Sequence, residues 1–142
     1  MKTITLSIDS DLEQVALACA CVSRLCAEVG LDEITSYQVE LCAGEALGNV
    51  VTHAYSRNPG GDLHLTWTLS ENRLTMQIAD HGKPMETAPE LKTEMPPPES
   101  EGGRGWPLIY ALMDEVRYES DNGSNRLWMI KSFDCSSAPR IA

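Results

Sequence analysis

Three short stretches carry side chains whose types and spacing suit chemistry on a phosphorylated ligand. In "GEALGNVVTHAY", residues 44–55, Glu45, Asn49 and His53 recur every four residues, which lines them along one helix at 3.6 residues per turn. A carboxylate one turn before an amide sets a proton acceptor beside a neutral oxygen ligand of the hard kind that magnesium takes. Taken alone, Glu45 and Asn49 are ordinary polar residues of a solvated face, and they gain meaning only if something covers that face. His53, His64 and His81 read as surface or packing residues, because no two of them share a metal-binding spacing.

The second stretch, "RLTMQIADHGKP", alternates so that Asp80 continues the parity of Leu74, Met76 and Ile78 and should face the same interior. A buried carboxylate needs donors: a hydrogen bond to a charged group contributes roughly 1.5–3 kcal/mol, and leaving the group unpaired costs more. An amine on a ligand would serve. The plainer alternative ends the strand at Ala79 and lets Asp80 open a turn with Gly82. The third stretch, "EGGRGWPLI", sets three glycines before a helix, where free N–H groups and the positive end of the helix dipole suit an anion. It lacks the strand and spacing of a dinucleotide fingerprint and the lysine of a Walker loop.

The elements that must position these residues follow from periodicity. "KTITLSI" alternates as a strand; Ser10 with Glu13 reads as a capping box for a helix whose stripe is Leu12, Val15, Ala16, Cys19, Val22, Cys26 and Val29, ended by Gly30. Asp32 or Thr35 caps a second helix running to residue 55, with Val39, Ala43, Ala46, Leu47, Val50 and Ala54 on one side and Gln38, Glu45, Asn49 and Thr52 on the other. Residues 63–69 and 74–78 read as a hairpin, 106–116 as a short helix with Pro107 in its first turn, and 116–120 with 124–133 as a second hairpin turning at Asn122-Gly123. Residues 85–105 keep no period and carry four prolines, as binding loops and lids do. Trp67 and Trp128 read as sheet packing, and Trp106 as a pocket wall or lid anchor. The order predicts one α+β domain over residues 1–134, a two-layer α/β sandwich with helices on one face of a mostly antiparallel, mixed sheet, and a loose tail over 135–142.

Composition narrows the partners. With 142 residues, 42% of them hydrophobic, the chain suits one core, and 11 basic against 21 acidic side chains give a charge of −10 that argues against direct nucleic-acid binding. No apolar run approaches a membrane span, and the N-terminus lacks a signal peptide's apolar segment, so a cytoplasmic protein with no membrane partner is expected. Cysteines 19, 21, 26, 42 and 135 show no zinc spacing and read as reduced, mostly buried hydrophobes.

Together, "ExxxN" at Glu45 and Asn49, "DHG" at Asp80–Gly82 and "GRG" at Gly103–Gly105 resemble the GHKL ATP-binding superfamily of gyrase, a heat-shock chaperone, histidine kinases and a mismatch-repair ATPase. The nearest likeness is its anti-sigma-factor serine kinase branch, and it runs from the first strand to "LWMIKSF". The resemblance implies ATP and Mg as cofactors, Glu45 as general base, and Asn49 as the magnesium ligand. It also implies Asp80 as the acceptor of the adenine amine, Gly82 as room for the base, and Gly103, Arg104 and Gly105 as the phosphate end of a lid over about 85–105. It further implies a serine/threonine protein kinase of partner switching, which holds a sigma factor and phosphorylates a Ser or Thr of a small anti-sigma-factor antagonist. A homodimer is left open, as is a non-catalytic, nucleotide-dependent regulator of another partner. Two departures stand out: "DHGKP" lacks a second glycine, and Asn125 stands where the family often has a hydroxyl residue. The chain opens on its first strand, so the phosphoacceptor is expected on another protein.

Overall fold

Each stretch of period two becomes a strand, and each stretch with helical spacing folds back over the same side of the sheet. The computed structural model describes residues 1–85 and 105–133. Most of the expected lid, with Gly103 and Arg104, and also Cys135 and the tail lie outside the described residues. The strands are β1 (Lys2–Asp9), β2 (Asp62–Leu69), β3 (Arg73–Asp80), β4 (Glu115–Asp121) and β5 (Ser124–Ser132), and the helices α1 (Leu12–Glu28), α2 (Glu33–Asn49) and α3 (Gly105–Leu112).

The sheet order is β1-β2-β3-β5-β4, and every neighbouring pair is antiparallel, which corrects the expected mixed sheet. Helix number explains this. The antiparallel pair α1 and α2 returns the chain to the end of the sheet where β1 finished, so β2 must run back beside it. The single helix α3 instead carries the chain to the opposite end, and β5 then turns back between β4 and β3. Asn122 (φ 49°) and Gly123 (φ 79°) form the left-handed turn of that last hairpin, as the sequence demands.

One sheet face builds the core. Leu63, Leu65, Trp67 and Leu69 of β2, Leu74, Met76 and Ile78 of β3, and Leu127 and Met129 of β5 are buried in one cluster with residues of α1, α2 and α3. Each such side chain contributes about 1.5–3 kcal/mol when fully buried. The outer face of β1 and β2 is a polar ladder in which Thr5 meets Thr66 at 3.1 Å and Ser7 meets His64 at 2.9 Å. Trp128 is half-buried on that outer face under the Arg117 guanidinium, 5.5 Å from its ring centre.

Local chemistry sets the helix ends. The expected capping box is replaced by Asp11, which accepts the Glu13 N–H at 2.9 Å. Ser10 is used elsewhere: its hydroxyl donates to the Asn58 carbonyl at 2.6 Å and accepts the Gly61 N–H at 2.9 Å, tying β1 to the entry of β2. With the start moved, the buried stripe of α1 is Val15, Ala18, Val22 and Cys26, while Leu12 and Ala16 face solvent. Gly30 (φ 86°) closes α1 in a Schellman motif, with Leu31 N–H on Cys26 O and its own N–H on Ala27 O. Asp32, rather than Thr35, caps α2.

The cysteines divide by burial. Cys21 is exposed, against expectation, whereas Cys26 and Cys42 are buried in the core. Burial pushes the Cys26 thiol up from 9.0 to about 11, with the Glu40 carboxylate adding to the rise. Burial likewise pushes Cys42 up to about 12, against the pull of Lys131. Folded values above the unfolded value stabilise fully below pH 9, and that contribution is lost as pH rises from 9 toward 11–12. At one pH unit above the unfolded value the loss is about 1.4 kcal/mol per thiol. Urea unfolding at pH 8 and pH 10 should show it, and a Cys26→Ala, Cys42→Ala double variant should show a smaller drop between the two pH values. An equal drop in both proteins would contradict the assignment.

Candidate functional site

The inward parity of β3 carries through to its last residue. Asp80 is 5% exposed and lies in register between Leu63 of β2 and Asn125 of β5. Its Oδ1 accepts the Gly82 N–H at 2.9 Å and the Asn125 amide at 2.8 Å. The partner that a buried carboxylate needs is supplied in part by the protein itself: Asn125 is 1% exposed. The same amide nitrogen donates to Gly82 O at 2.9 Å, and Asn125 Oδ1 accepts the Ser120 hydroxyl at 2.7 Å. Both hydrogen bonds to Asp80 fall on Oδ1, which leaves Oδ2 without a donor among the described residues.

The turn after Asp80 is held at every amide. His81 N–H donates to the Tyr55 hydroxyl at 2.8 Å, Gly82 N–H to Asp80, Lys83 N–H to Ala54 O at 2.8 Å, and Met85 N–H to the Tyr118 hydroxyl at 3.0 Å. Tyr55 in turn donates to Asp62 O at 2.6 Å, so its ring joins the end of the helical layer to both β2 and the turn. Gly82 has a steric reason to be glycine: a Cβ there would stand 2.6 Å from Ala54 O and 2.8 Å from Ala54 Cβ. Gly82→Ala should destabilise the fold by about 1–3 kcal/mol, since the obstacle is backbone and cannot rotate away. Thermal unfolding measures this, and an unchanged midpoint would show that the turn gives way freely.

Between Asp80 and the phosphate-binding candidates lies an irregular helix end. After Asn49 the helix widens into a π-turn over Val50–Ala54, with Tyr55 N–H on Val50 O and Arg57 N–H on Val51 O. The regular helix predicted to residue 55 therefore stops at Asn49. The added residue in the turn buries Val51, leaves Val50 half-exposed, and carries His53 out to solvent and away from the Glu45–Asn49 series. It also aims the Ala54 carbonyl at the Gly82 turn. Such π-turns often accompany functional sites.

Glu45 and Asn49 do lie on a covered face. A Cβ on Gly105, the first residue of α3, would stand 2.8 Å from Glu45 Oε2 and 3.4 Å from Asn49 Nδ2. The glycine lets the start of α3 settle directly on both side chains, and a carboxylate beside a helix N-terminus is electrostatically favoured. Lys131 closes the other end of α3 by donating to Leu112 O at 2.9 Å. Asn49 Nδ2 is buried with no hydrogen-bond partner among the described residues. A buried amide normally finds one, so this atom fits a ligand group. A half-turn of the amide exchanges its ends, so the same position can offer a donor to a phosphate or an oxygen to a cation.

Asp80, Gly82, Asn49, Glu45 and Gly105 thus form one strip, from the end of β3, across the π-turn, to the start of α3. A family model described as a histidine kinase-like ATPase domain matches residues 8–131, which contain the whole strip. The chain belongs to that family. A serine-protein kinase RsbW of Oceanobacillus iheyensis is 29% identical over 128 residues, covering 84% of this chain and 80% of its own length. An anti-sigma F factor of Anoxybacillus flavithermus is 30% identical over 112 residues, 76% of this chain and 75% of that protein. A serine/threonine-protein kinase BtrW of Bordetella bronchiseptica is 30% identical over 95 residues. These names bear out the likeness to the anti-sigma serine kinase branch. Among solved structures, the RsbU and RsbW domains of Rv1364c from Mycobacterium tuberculosis match all of this chain and 35% of that longer one, with a TM-score of 0.70 at 15% identity, which shows a shared fold.

The donor set suits a nucleotide with its cation better than a resident metal. No group of three or more His, Cys, Asp or Glu side chains able to hold a metal occurs among the described residues. Magnesium does not need one, because it commonly binds one or two protein oxygens and completes its shell with phosphates and water. No helix among the described residues is long and apolar enough to cross a membrane. Trp106 is half-buried against the core, beside the residue that touches Glu45. Sequence reasoning missed Tyr55, Tyr118 and Ser120, whose partners lie between 5 and 33 residues away along the chain. Only Asn125 carried a signal, as a departure from the family pattern.

Proposed function

We propose that the protein is an ATP- and magnesium-dependent serine/threonine protein kinase of the cytoplasm that acts as an anti-sigma factor, holding a sigma factor inactive, and that phosphorylates an anti-sigma-factor antagonist. The observation that carries this reading is the meeting of Glu45, the Asn49 amide nitrogen, buried and unpaired among the described residues, and Gly105 at the start of α3, in a chain whose relatives bear kinase and anti-sigma names. Bound ATP with its magnesium supplies the transferable phosphoryl group and the charge neutralisation that such transfer needs. The protein's part is positioning and one proton transfer. Asp80 Oδ2 accepts from the base amine, Asn49 holds the cation or a phosphate oxygen, and the N–H groups at the start of α3 face the anionic end. Glu45 takes the proton of the attacking hydroxyl at a side-chain oxygen.

Incubating the protein with labelled ATP, magnesium and a candidate antagonist domain should label a Ser or Thr of that domain, and chelating the magnesium should abolish the label. If ATP binds but no phosphoprotein forms with any candidate, the protein acts instead as a nucleotide-dependent binding regulator.

A further inference from the structure

We propose that Asn125, oriented by Asp80 Oδ1 and Gly82 O and anchored by Ser120, sets the purine selectivity of the site by fixing which atom Asp80 offers to the base. This rests on the nucleotide reading above and adds to it a residue that works through another. Asn125 cannot turn its amide without loss. As placed, Nδ2 lies between two acceptors, Asp80 Oδ1 at 2.8 Å and Gly82 O at 2.9 Å, while Oδ1 receives the Ser120 hydroxyl at 2.7 Å. Turned over, the amide would set its oxygen against two oxygens and surrender two of its hydrogen bonds.

The consequence passes to Asp80. Two donors, the Asn125 amide and the Gly82 N–H, take one carboxylate oxygen and so fix the rotation of the group about its own axis. The other oxygen is left as a single aimed acceptor. An acceptor so aimed favours a purine with an amine at the matching ring position and opposes one with a carbonyl there, which is the difference between adenine and guanine. Asn125 bonds Gly82 O as well, so carboxylate and turn move as one body. The acceptors Asp80 Oδ1 and Gly82 O set the amide's orientation, and the exposed Ser120 hydroxyl, which can donate or accept, anchors its other end.

The experiment is competition between ATP and GTP, each with magnesium, for the intact protein and three variants, read by calorimetry, with circular dichroism to confirm folding. The wild type should favour ATP by about tenfold or more. Asn125→Asp places a carboxylate against the carboxylate, so Asp80 must swing aside or share a proton with it. The ATP-to-GTP ratio should then fall toward one. Ser120→Ala should lower the ratio by a smaller factor and Ser120→Thr should restore it. A purely structural role would weaken both nucleotides equally and leave the ratio unchanged, and a folded set of variants with an unchanged ratio overturns the proposal for Asn125 alone. If the wild type binds neither nucleotide, this proposal and the kinase reading fall together.

Discussion

Glu45→Gln is expected to slow phosphoryl transfer to the protein acceptor by about 10²–10⁴-fold while leaving ATP affinity within about threefold, the range associated with loss of a general base. Glutamine has the shape of glutamate and can keep the contact with Gly105, where Glu45 Oε2 lies 2.8 Å from the place a Cβ would take. What it cannot do is accept the hydroxyl proton. The alternative role for Glu45 is electrostatic support of the α3 N-terminus, and its loss would cost about 0.3–1 kcal/mol of stability without a large rate effect. Single-turnover labelling separates the two. A variant that transfers phosphate at the wild-type rate would remove Glu45 from the chemistry.

Asp80→Asn is expected to weaken ATP binding by about a hundredfold and to turn selectivity toward GTP. The fold should survive, because an asparagine at 80 still has one oxygen to receive the Gly82 N–H and the Asn125 amide. Those two donors dictate which way the new amide points. Its NH2 must then stand where Oδ2 stood, so a donor faces the adenine amine and the favourable contact becomes a repulsive one. A hydrogen bond to a charged group contributes about 1.5–3 kcal/mol, or roughly 10- to 150-fold. Calorimetric titration with each nucleotide reads the effect, and an unchanged ATP affinity would place the base elsewhere.

The parts of this site that sequence could disclose are those governed by short periods. Asp80 was legible because an alternation of two, once set by Leu74, Met76 and Ile78, holds to the end of the strand. Glu45 and Asn49 were legible as a pair because four residues is nearly one helical turn. The π-turn was not, since one added residue changes the period without any composition cue, and it is this turn that sends His53 to solvent and Ala54 to Gly82. Asp11 displaced Ser10 as a cap because Ser10 found better partners 48 and 51 residues away, a preference no local window contains. The same holds for Asn125 and Asp80, 45 residues apart, whose pairing follows from β5 inserting between β3 and β4.

The most direct measurement is a structure of the protein with magnesium and a non-hydrolysable ATP analogue. The base amine is expected within hydrogen-bond distance of Asp80 Oδ2, and the Asn49 amide engaged with the cation or a phosphate oxygen close to Gly105. An analogue bound away from α2, with Asp80 Oδ2 and the Asn49 amide both left unengaged, would contradict this expectation.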